Sequence, residues 1–254
     1  MGKIHSLIIG GTKGIGQNLV NLLASQGHQT SVIARGIPPP NEQPKNNVHH
    51  WSVNLLDHDK LLRTLAEIVK RDGKLNNLVF FQRYRDKEDD WKGEIETSLT
   101  ATKLTIERLA DDFEFQSASI VLVSSVNSHL INKDLTLGYH VAKFALVQMA
   151  RYYAVSLGPK GIRVNSISPG TILKGKSTNF FLNDQQLHDA YRNIIPLGRM
   201  GTASEVSEVI AFLLSPKASF LTGQDIIVDG GVSVQYQEFL ATKLQAERAS
   251  SGPQ

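Results

Sequence analysis

A chain of 254 residues with 27 Lys and Arg against 24 Asp and Glu carries a formal charge of +3. That surplus is too small and too scattered to point to a nucleic-acid partner, and with no cysteine neither a disulfide nor a thiolate metal site can form. Hydrophobic residues make up 41% of the chain, enough for one sizeable core.

No apolar run approaches the roughly 20 residues that cross a bilayer. The opening Met1–Ser6 runs straight into an apolar segment, without the long apolar core and cleavage site of a signal peptide. The expectation is a soluble cytoplasmic protein with no membrane partner.

Along the chain, short apolar β-branched runs alternate with longer segments of helical period, the pattern of a parallel α/β sheet. Strands are expected at Ser6–Ile9, Thr30–Ala34, His50–Val53, Asn77–Phe81, Ser119–Val123, Arg163–Ile167 and Asp225–Val228. Helices are expected at Gly14–Gln26, Asp57–Lys70, Glu88–Asp111, Gly138–Leu157 and Ser204–Leu214. The strands are nearly continuous apolar runs, as for strands buried on both faces. No linker or repeat interrupts the alternation. The fold class that follows is α/β, a single-domain Rossmann-type doubly wound parallel sheet of about seven strands spanning 1–254. Two stretches stand apart. The Pro-rich Arg35–Asn47 shortens the usual crossover to a loop, and 235–254 reads as a polar tail with helical character and a frayed end.

The first strand leads into Gly10-Gly11-Thr12-Lys13-Gly14-Ile15-Gly16. Glycines at a strand-to-helix turn let backbone N–H groups approach a pyrophosphate, and the helix that follows offers its positive end. The spacing differs from the common G-x-G-x-x-G, so that fingerprint applies by mechanism alone. After the second strand, an enzyme using NAD needs a carboxylate on the adenosine ribose. Here stands Arg35, whose guanidinium takes a 2′-phosphate that a carboxylate repels. Lys13 adds a second cation across the same ribose pocket, and together they favour NADP(H) over NAD(H). Asn54, after the third strand, reads equally as an adenine contact or as a turn residue.

Tyr139 and Lys143 lie one helical turn apart on one face. A free phenol titrates near pH 10, and an ammonium group beside it stabilises the phenolate, so such a tyrosine can hand its proton to a carbonyl oxygen as hydride arrives. The spacing alone is common. Its context is not: the buried run Ile120–Val123 ends in Ser124-Ser125, and ligands of open α/β sheets bind at the carboxyl ends of strands. Ser125 is placed to meet the same carbonyl oxygen, with Ser124 as a turn residue. Downstream, Arg163–Ser168 ends in Pro169-Gly170, beside the expected nicotinamide.

With these residues in this order, the chain resembles the short-chain dehydrogenase/reductase family. The likeness extends through Asn165, Pro196–Gly201, Thr222-Gly223-Gln224 and Val228–Gly231. The resemblance implies hydride transfer between NADP(H) and a small carbonyl or alcohol, with Tyr139 as acid/base and Ser125 as oxyanion partner. It further implies Lys143 as ribose anchor, a backbone contact from Ile172 to the nicotinamide carboxamide, and a homotetramer or homodimer.

The chain departs from the family in three places. Asn-Asn-Ala-Gly after the fourth strand is replaced by Phe80-Phe81-Gln82-Arg83, so Phe81 lies where that loop passes the cofactor. The helical asparagine of the proton relay falls at Ser98. The Ser125–Tyr139 separation of 14 residues is a mild deviation. Arg83 and Arg85 read first as solvated loop cations, and His129 and His140 as partly exposed. His49-His50 lacks a third metal ligand at useful spacing. Thr171–Asp189, with Thr178–Leu182, is expected to cover a partly apolar pocket. The leading reading is an NADPH-dependent ketoreductase. The rivals are an NADP(H)-binding sensor or partner protein with little turnover, and a nucleotide-sugar dehydratase or epimerase, for whose larger C-terminal domain the chain has no room.

Overall fold

The computed structural model describes residues 3–36, 46–85, 90–173 and 184–250. Seven strands form one sheet, β1 His5–Ile9, β2 Gln29–Ala34, β3 Val48–Ser52, β4 Asn77–Phe80, β5 Ser119–Val123, β6 Arg163–Pro169 and β9 Asp225–Val228. Their order is β3-β2-β1-β4-β5-β6-β9, and every pairing is parallel. The order turns back between β1 and β4, which is where such a sheet opens a crevice for a ligand. A separate pair, β7 Ile172–Leu173 and β8 Gly201–Thr202, lies outside the sheet.

The inner strands are buried on both faces, the edge strands β3 and β9 only in part, and the side-chain period of two sorts the strand residues between two cores. Leu7, Ile9, Ile33, Leu78, Phe80, Ile120 and Leu122 join one cluster. There they meet α2 (His58–Asp72), α4 (Ala101–Leu109) and α5 (Leu137–Leu157) through Leu61, Leu65, Ile106, Leu146 and Ala150. Ile8, Val32, Val79, Val121 and Val123 face the opposite way. They pack on α1 (Gly14–Ser25) and α7 (Ala203–Leu214) through Leu19, Leu23, Val206 and Ile210. The doubly wound sheet expected from the sequence is the fold observed.

Differences fall at particular elements. The segment expected as one helix over Glu88–Asp111 is described from Asp90, as α3 Asp90–Glu94, a π-helical stretch Ile95–Thr100, and then α4. Thr102 and Thr105 each turn a hydroxyl onto the carbonyl four residues back, Ser98 and Ala101, which perturbs a regular helix. The expected cover over Thr171–Asp189 holds β7 and the start of α6 (Gln185–Ile194). Thr178–Leu182 lies outside the described residues, as does the proline run at 38–40. The tail is helical, as α8 (Gln237–Ser250).

The amino ends of β1–β3 gather histidines. His5 is 1% exposed, with Nδ1 facing the carbonyl of Gly73 at 3.0 Å and Nε2 facing Ser31 Oγ at 3.2 Å. Ser31 in turn donates to Asp72. His28 Nδ1 meets Ser6 Oγ, His49 meets Gln29 and Arg71, and both ring nitrogens of His50 are buried without a hydrogen-bond partner among the described residues. Burial lowers the pKa of all four rings. In the unfolded chain they titrate near 6.5, so below that value the unfolded state takes up protons that the folded state refuses. Stability is therefore complete above about pH 6.5 and declines as pH falls below it. The thermal midpoint should drop steadily from pH 7.5 to 5.5, and a midpoint unchanged over that range would contradict this account.

Candidate active site

At the carboxyl end of β1 the chain passes through a turn that only glycines fit. Gly10 has φ of +87° and donates its N–H to the carbonyl of Ile33 at 2.7 Å. A Cβ on Gly11 would meet Ile8, Val20 and Val32 at 2.9–3.0 Å, and one on Gly16 would lie 2.6 Å from the carbonyl oxygen of Gly10. This tightness holds Thr12 and Lys13 over the start of α1. Lys13 caps α1 in extended conformation with no side-chain cap hydrogen bond, and the first turn holds no acidic residue. The leading N–H groups of a helix thus face outward beside a glycine turn, as an anion site requires. Ile15 and Gly16 are buried, and Ser207 of α7 donates to the carbonyl of Ile15.

The residues expected on the adenosine side follow β2, β3 and β4 in the chain. Arg35 follows β2 directly and is exposed, and its carbonyl accepts from Ser52 Oγ. No carboxylate stands at that strand end. Asn54 uses its side-chain oxygen to accept from Leu56 N at 3.2 Å, the turn role weighed for it above. Gly16 also touches the Phe81 ring, 3.3 Å from where its Cβ would be, which places Phe81 over the glycine loop. These glycines, this unblocked helix start and this pair of cations are the donor set a phosphorylated dinucleotide needs. The residues fit the group.

The strand-and-helix junction beside it brings the chemistry together. Thr136 caps α5 by accepting from Tyr139 N. Two hydrogen bonds then fasten α5 to the end of β5: Lys143 Nζ donates to the carbonyl of Val123 at 2.9 Å, and Ser124 Oγ donates to the carbonyl of Lys143 at 2.7 Å. Ser125, next in the chain, is buried and accepts from Asn127 N through its hydroxyl. Tyr139 and Lys143 are 8% and 4% exposed, with Nζ 5.7 Å from the phenol ring centroid. Beyond β6, Gly170 sits so close to Asp229 that a Cβ would lie 2.8 Å from it. Pro169 and Ile172 are buried at this end of the sheet, and the Ile172 side chain lies against Gly201.

The departing loop behaves differently from the first reading of it. Arg83 is not a simple solvated cation: its guanidinium carbon lies 4.2 Å from the centroid of the Tyr139 ring, and its Nε stands 3.8 Å from Glu94 Oε1. Glu94 is 1% exposed and was not singled out from the sequence. Its one available signal is the i, i+4 spacing to Ser98. Ser98 is fully buried, and its hydroxyl donates to Glu94 Oε2 at 2.8 Å. Gln82 donates to Thr102 at 2.6 Å. The Tyr84 ring packs where a Cβ on Gly93 would stand, at 2.3 Å, so α3 and the loop interlock at a glycine.

Both neighbouring histidines have structural partners. His140 is buried rather than partly exposed, with Nδ1 on the carbonyl of Thr136 and Nε2 accepting from Asn132 N. His129 is part-exposed and meets Asp225 at 2.8 Å. Among the described residues no cluster of His, Asp and Glu could hold a metal, and no helix is long and apolar enough to cross a membrane.

Comparison with known proteins decides the family. Residues 10–233 match the family model described as enoyl-(acyl carrier protein) reductase. The chain belongs to the short-chain dehydrogenase/reductase family. It is 29% identical over 245 residues to the 3-oxoacyl-(acyl-carrier-protein) reductase FabG of Buchnera aphidicola, covering 91% of this chain and 97% of that protein. A tropinone reductase homolog of Arabidopsis thaliana is 32% identical over 250 residues, covering 90% of each chain. Among solved structures, ElxO with NADP bound superposes with a TM-score of 0.81 at 22% identity, over 92% of this chain and all of that one. As in other short-chain dehydrogenases/reductases, the activity class is oxidoreduction with a nicotinamide cofactor.

The Gly16 contact yields a direct test. Gly16→Ala forces a backbone carbonyl to move, so the variant should weaken dinucleotide binding at least tenfold by fluorescence titration. Undiminished binding would show that the turn is not the phosphate cradle.

Proposed function

We propose that this short-chain dehydrogenase/reductase transfers hydride between NADP(H) and a carbonyl or alcohol, with Tyr139 as the proton donor and acceptor. The observation that carries this reading is the clamp at the end of β5. It holds Ser125, Tyr139 and Lys143 together where β5 ends and α5 begins, which supports their acting as one group. Bound there, the dinucleotide supplies the hydride. Gly10, Thr12, Gly14, Ile15 and Gly16 would hold its phosphates, and Arg35 with Lys13 its 2′-phosphate. Pro169, Gly170 and Ile172 would border the nicotinamide.

The chain's own residues then divide the work. Ser125 offers its hydroxyl to the carbonyl oxygen and orients it. Tyr139 gives that oxygen a proton, or takes one from an alcohol in the reverse direction. Lys143, whose ammonium lies 5.7 Å from the ring centroid, stabilises the charge left on the phenolate oxygen. Burial of both side chains excludes water and strengthens this interaction. Assembly as a homo-oligomer is part of the same proposal, supported by the outer side of α5, where Phe144, Tyr152 and Val155 are 56%, 66% and 80% exposed.

A sensor with little turnover is favoured by one observation: the Ser98 hydroxyl is engaged by Glu94 where relatives place the asparagine of the proton relay. Steady NADPH oxidation with a panel of ketones and aldehydes excludes it.

Tyr139→Phe should reduce kcat by about 100-fold or more while NADPH binding stays within a few-fold, read by steady-state rates and fluorescence titration. Undiminished turnover overturns the assignment. Arg35→Glu should lower kcat/KM for NADPH by about 10- to 100-fold, as expected for losing a charge-assisted contact, and spare NADH. Equal losses with both cofactors would remove Arg35 from the 2′-phosphate site.

A further inference from the structure

The loop after β4 places a second cation at the catalytic phenol. The guanidinium of Arg83 lies over the Tyr139 ring at 4.2 Å, on the residue whose hydroxyl meets the substrate carbonyl in the reading above. Its Nε side turns to Glu94 at 3.8 Å, and among the described residues Glu94 Oε1 accepts no hydrogen bond. The contact is therefore an electrostatic anchor rather than a saturated pair. Glu94 is itself fixed by Ser98 and by the backbone N–H of Tyr84. Gly93 lets the Tyr84 ring settle against the same helix. The Tyr139 ring and Glu94 thus hold Arg83 in place.

What remains is its working end. Among the described residues the terminal nitrogens of Arg83 have no hydrogen-bond partner, and the side chain is 38% exposed. A guanidinium held by Nε and by a ring face still presents the paired N–H groups of its two terminal nitrogens, the fork that accepts a carboxylate in bidentate fashion. The charges agree. Lys143 and Arg83 both approach the Tyr139 ring, at 5.7 Å and 4.2 Å from its centroid, and among the described residues only Glu94 pairs with Arg83, while the Asp90 carboxylate lies against Gly138.

We propose that Arg83 is the substrate-selecting residue of this enzyme and that it binds the carboxylate of a short oxo acid. Because the guanidinium lies on the ring whose hydroxyl meets the carbonyl, the acid group stands within a few bonds of that carbonyl, as in 2-oxo and 3-oxo acids. Glu94 is the positioning residue that keeps the fork aimed. The proposal rests on the reductase reading for its reaction and on Arg83 alone for its specificity.

The test compares 2-oxo and 3-oxo acids with their methyl esters, using NADPH, in the intact protein and in Arg83→Gln and Arg83→Lys. The quantity read is the acid-to-ester ratio of kcat/KM, which a general loss of folded or active protein leaves unaltered. The ratio should be about 10- to 100-fold in favour of at least one acid, fall to near one in Arg83→Gln, and recover in part in Arg83→Lys. A ratio near one in the intact protein, or one that survives in Arg83→Gln, overturns the proposal.

Fluorescence titration with NADPH, on the same variants, distinguishes the other source of an anion. If Arg83→Gln weakens NADPH binding tenfold and leaves the ratio alone, Arg83 serves a cofactor phosphate and the proposal fails. If no carbonyl compound is reduced at all, the reductase reading fails, and Arg83 is judged by binding. The same oxo acids should then raise the thermal midpoint of the NADPH-loaded protein and not that of its Arg83→Gln variant. An equal rise in both, or none in either, overturns the proposal.

Discussion

Two hydrogen bonds between β5 and α5 hold the candidate site together. A lysine buried to 4% exposure needs partners for its ammonium, since an unpaired buried charge is costly. The carbonyl of Val123, at the last position of β5, is one of them. Ser124 returns the connection by donating to the carbonyl of Lys143 itself. The register between strand end and helix is thereby fixed from both sides, and Tyr139, one turn earlier on the same face, is fixed with it. Ser125 follows directly. The rest of the molecule supplies a rigid frame for this junction: a parallel sheet whose inner strands are buried on both faces, with the glycine turn at the end of β1, two strands away.

The loop after β4 shows how such a frame can be kept while the site is altered. Here Phe81 packs on Gly16 and Arg83 stacks on Tyr139. Neither is accommodated passively. Gln82 is tied to Thr102, Tyr84 packs on Gly93, and Glu94 is buried beneath Arg83. A buried carboxylate with one oxygen lacking a hydrogen bond costs stability, which gives it more weight as a functional feature than as a structural one.

Much of this was legible in the sequence, for identifiable reasons. A strand buried on both faces is a continuous apolar run, so Ser119–Val123 coincides with β5, and the short apolar run of Asp225–Val228 coincides with the partly exposed edge strand β9. By contrast β3 opens at Val48, two residues before the expected His50, because His49 and His50 are half-buried and break the apolar pattern. Helix α6 was missed although Leu187, Ala190, Tyr191 and Ile194 recur at helical spacing, because none of its residues is buried and its start was read as part of the cover at Thr171–Asp189. Tyr139, Lys143 and Ser125 were legible because local spacing fixes one pair and a strand end fixes the third. Glu94 was not. Its role depends on a contact across chain elements with Arg83, and no local pattern announces such a contact. His140 likewise reads as exposed until its partners Thr136 and Asn132 are seen.

The central claim is that the clamp at the end of β5 aims the hydroxyl of Tyr139 at a dinucleotide lying across the switch between β1 and β4. A crystal structure of the protein with NADPH tests it most directly. The account predicts the phosphates on the Gly10–Gly16 turn and the Tyr139 hydroxyl in contact with the hydride-bearing side of the nicotinamide ring. A nicotinamide kept out of that position by Phe81 or Arg83, or a Tyr139 hydroxyl facing bulk solvent, would contradict it.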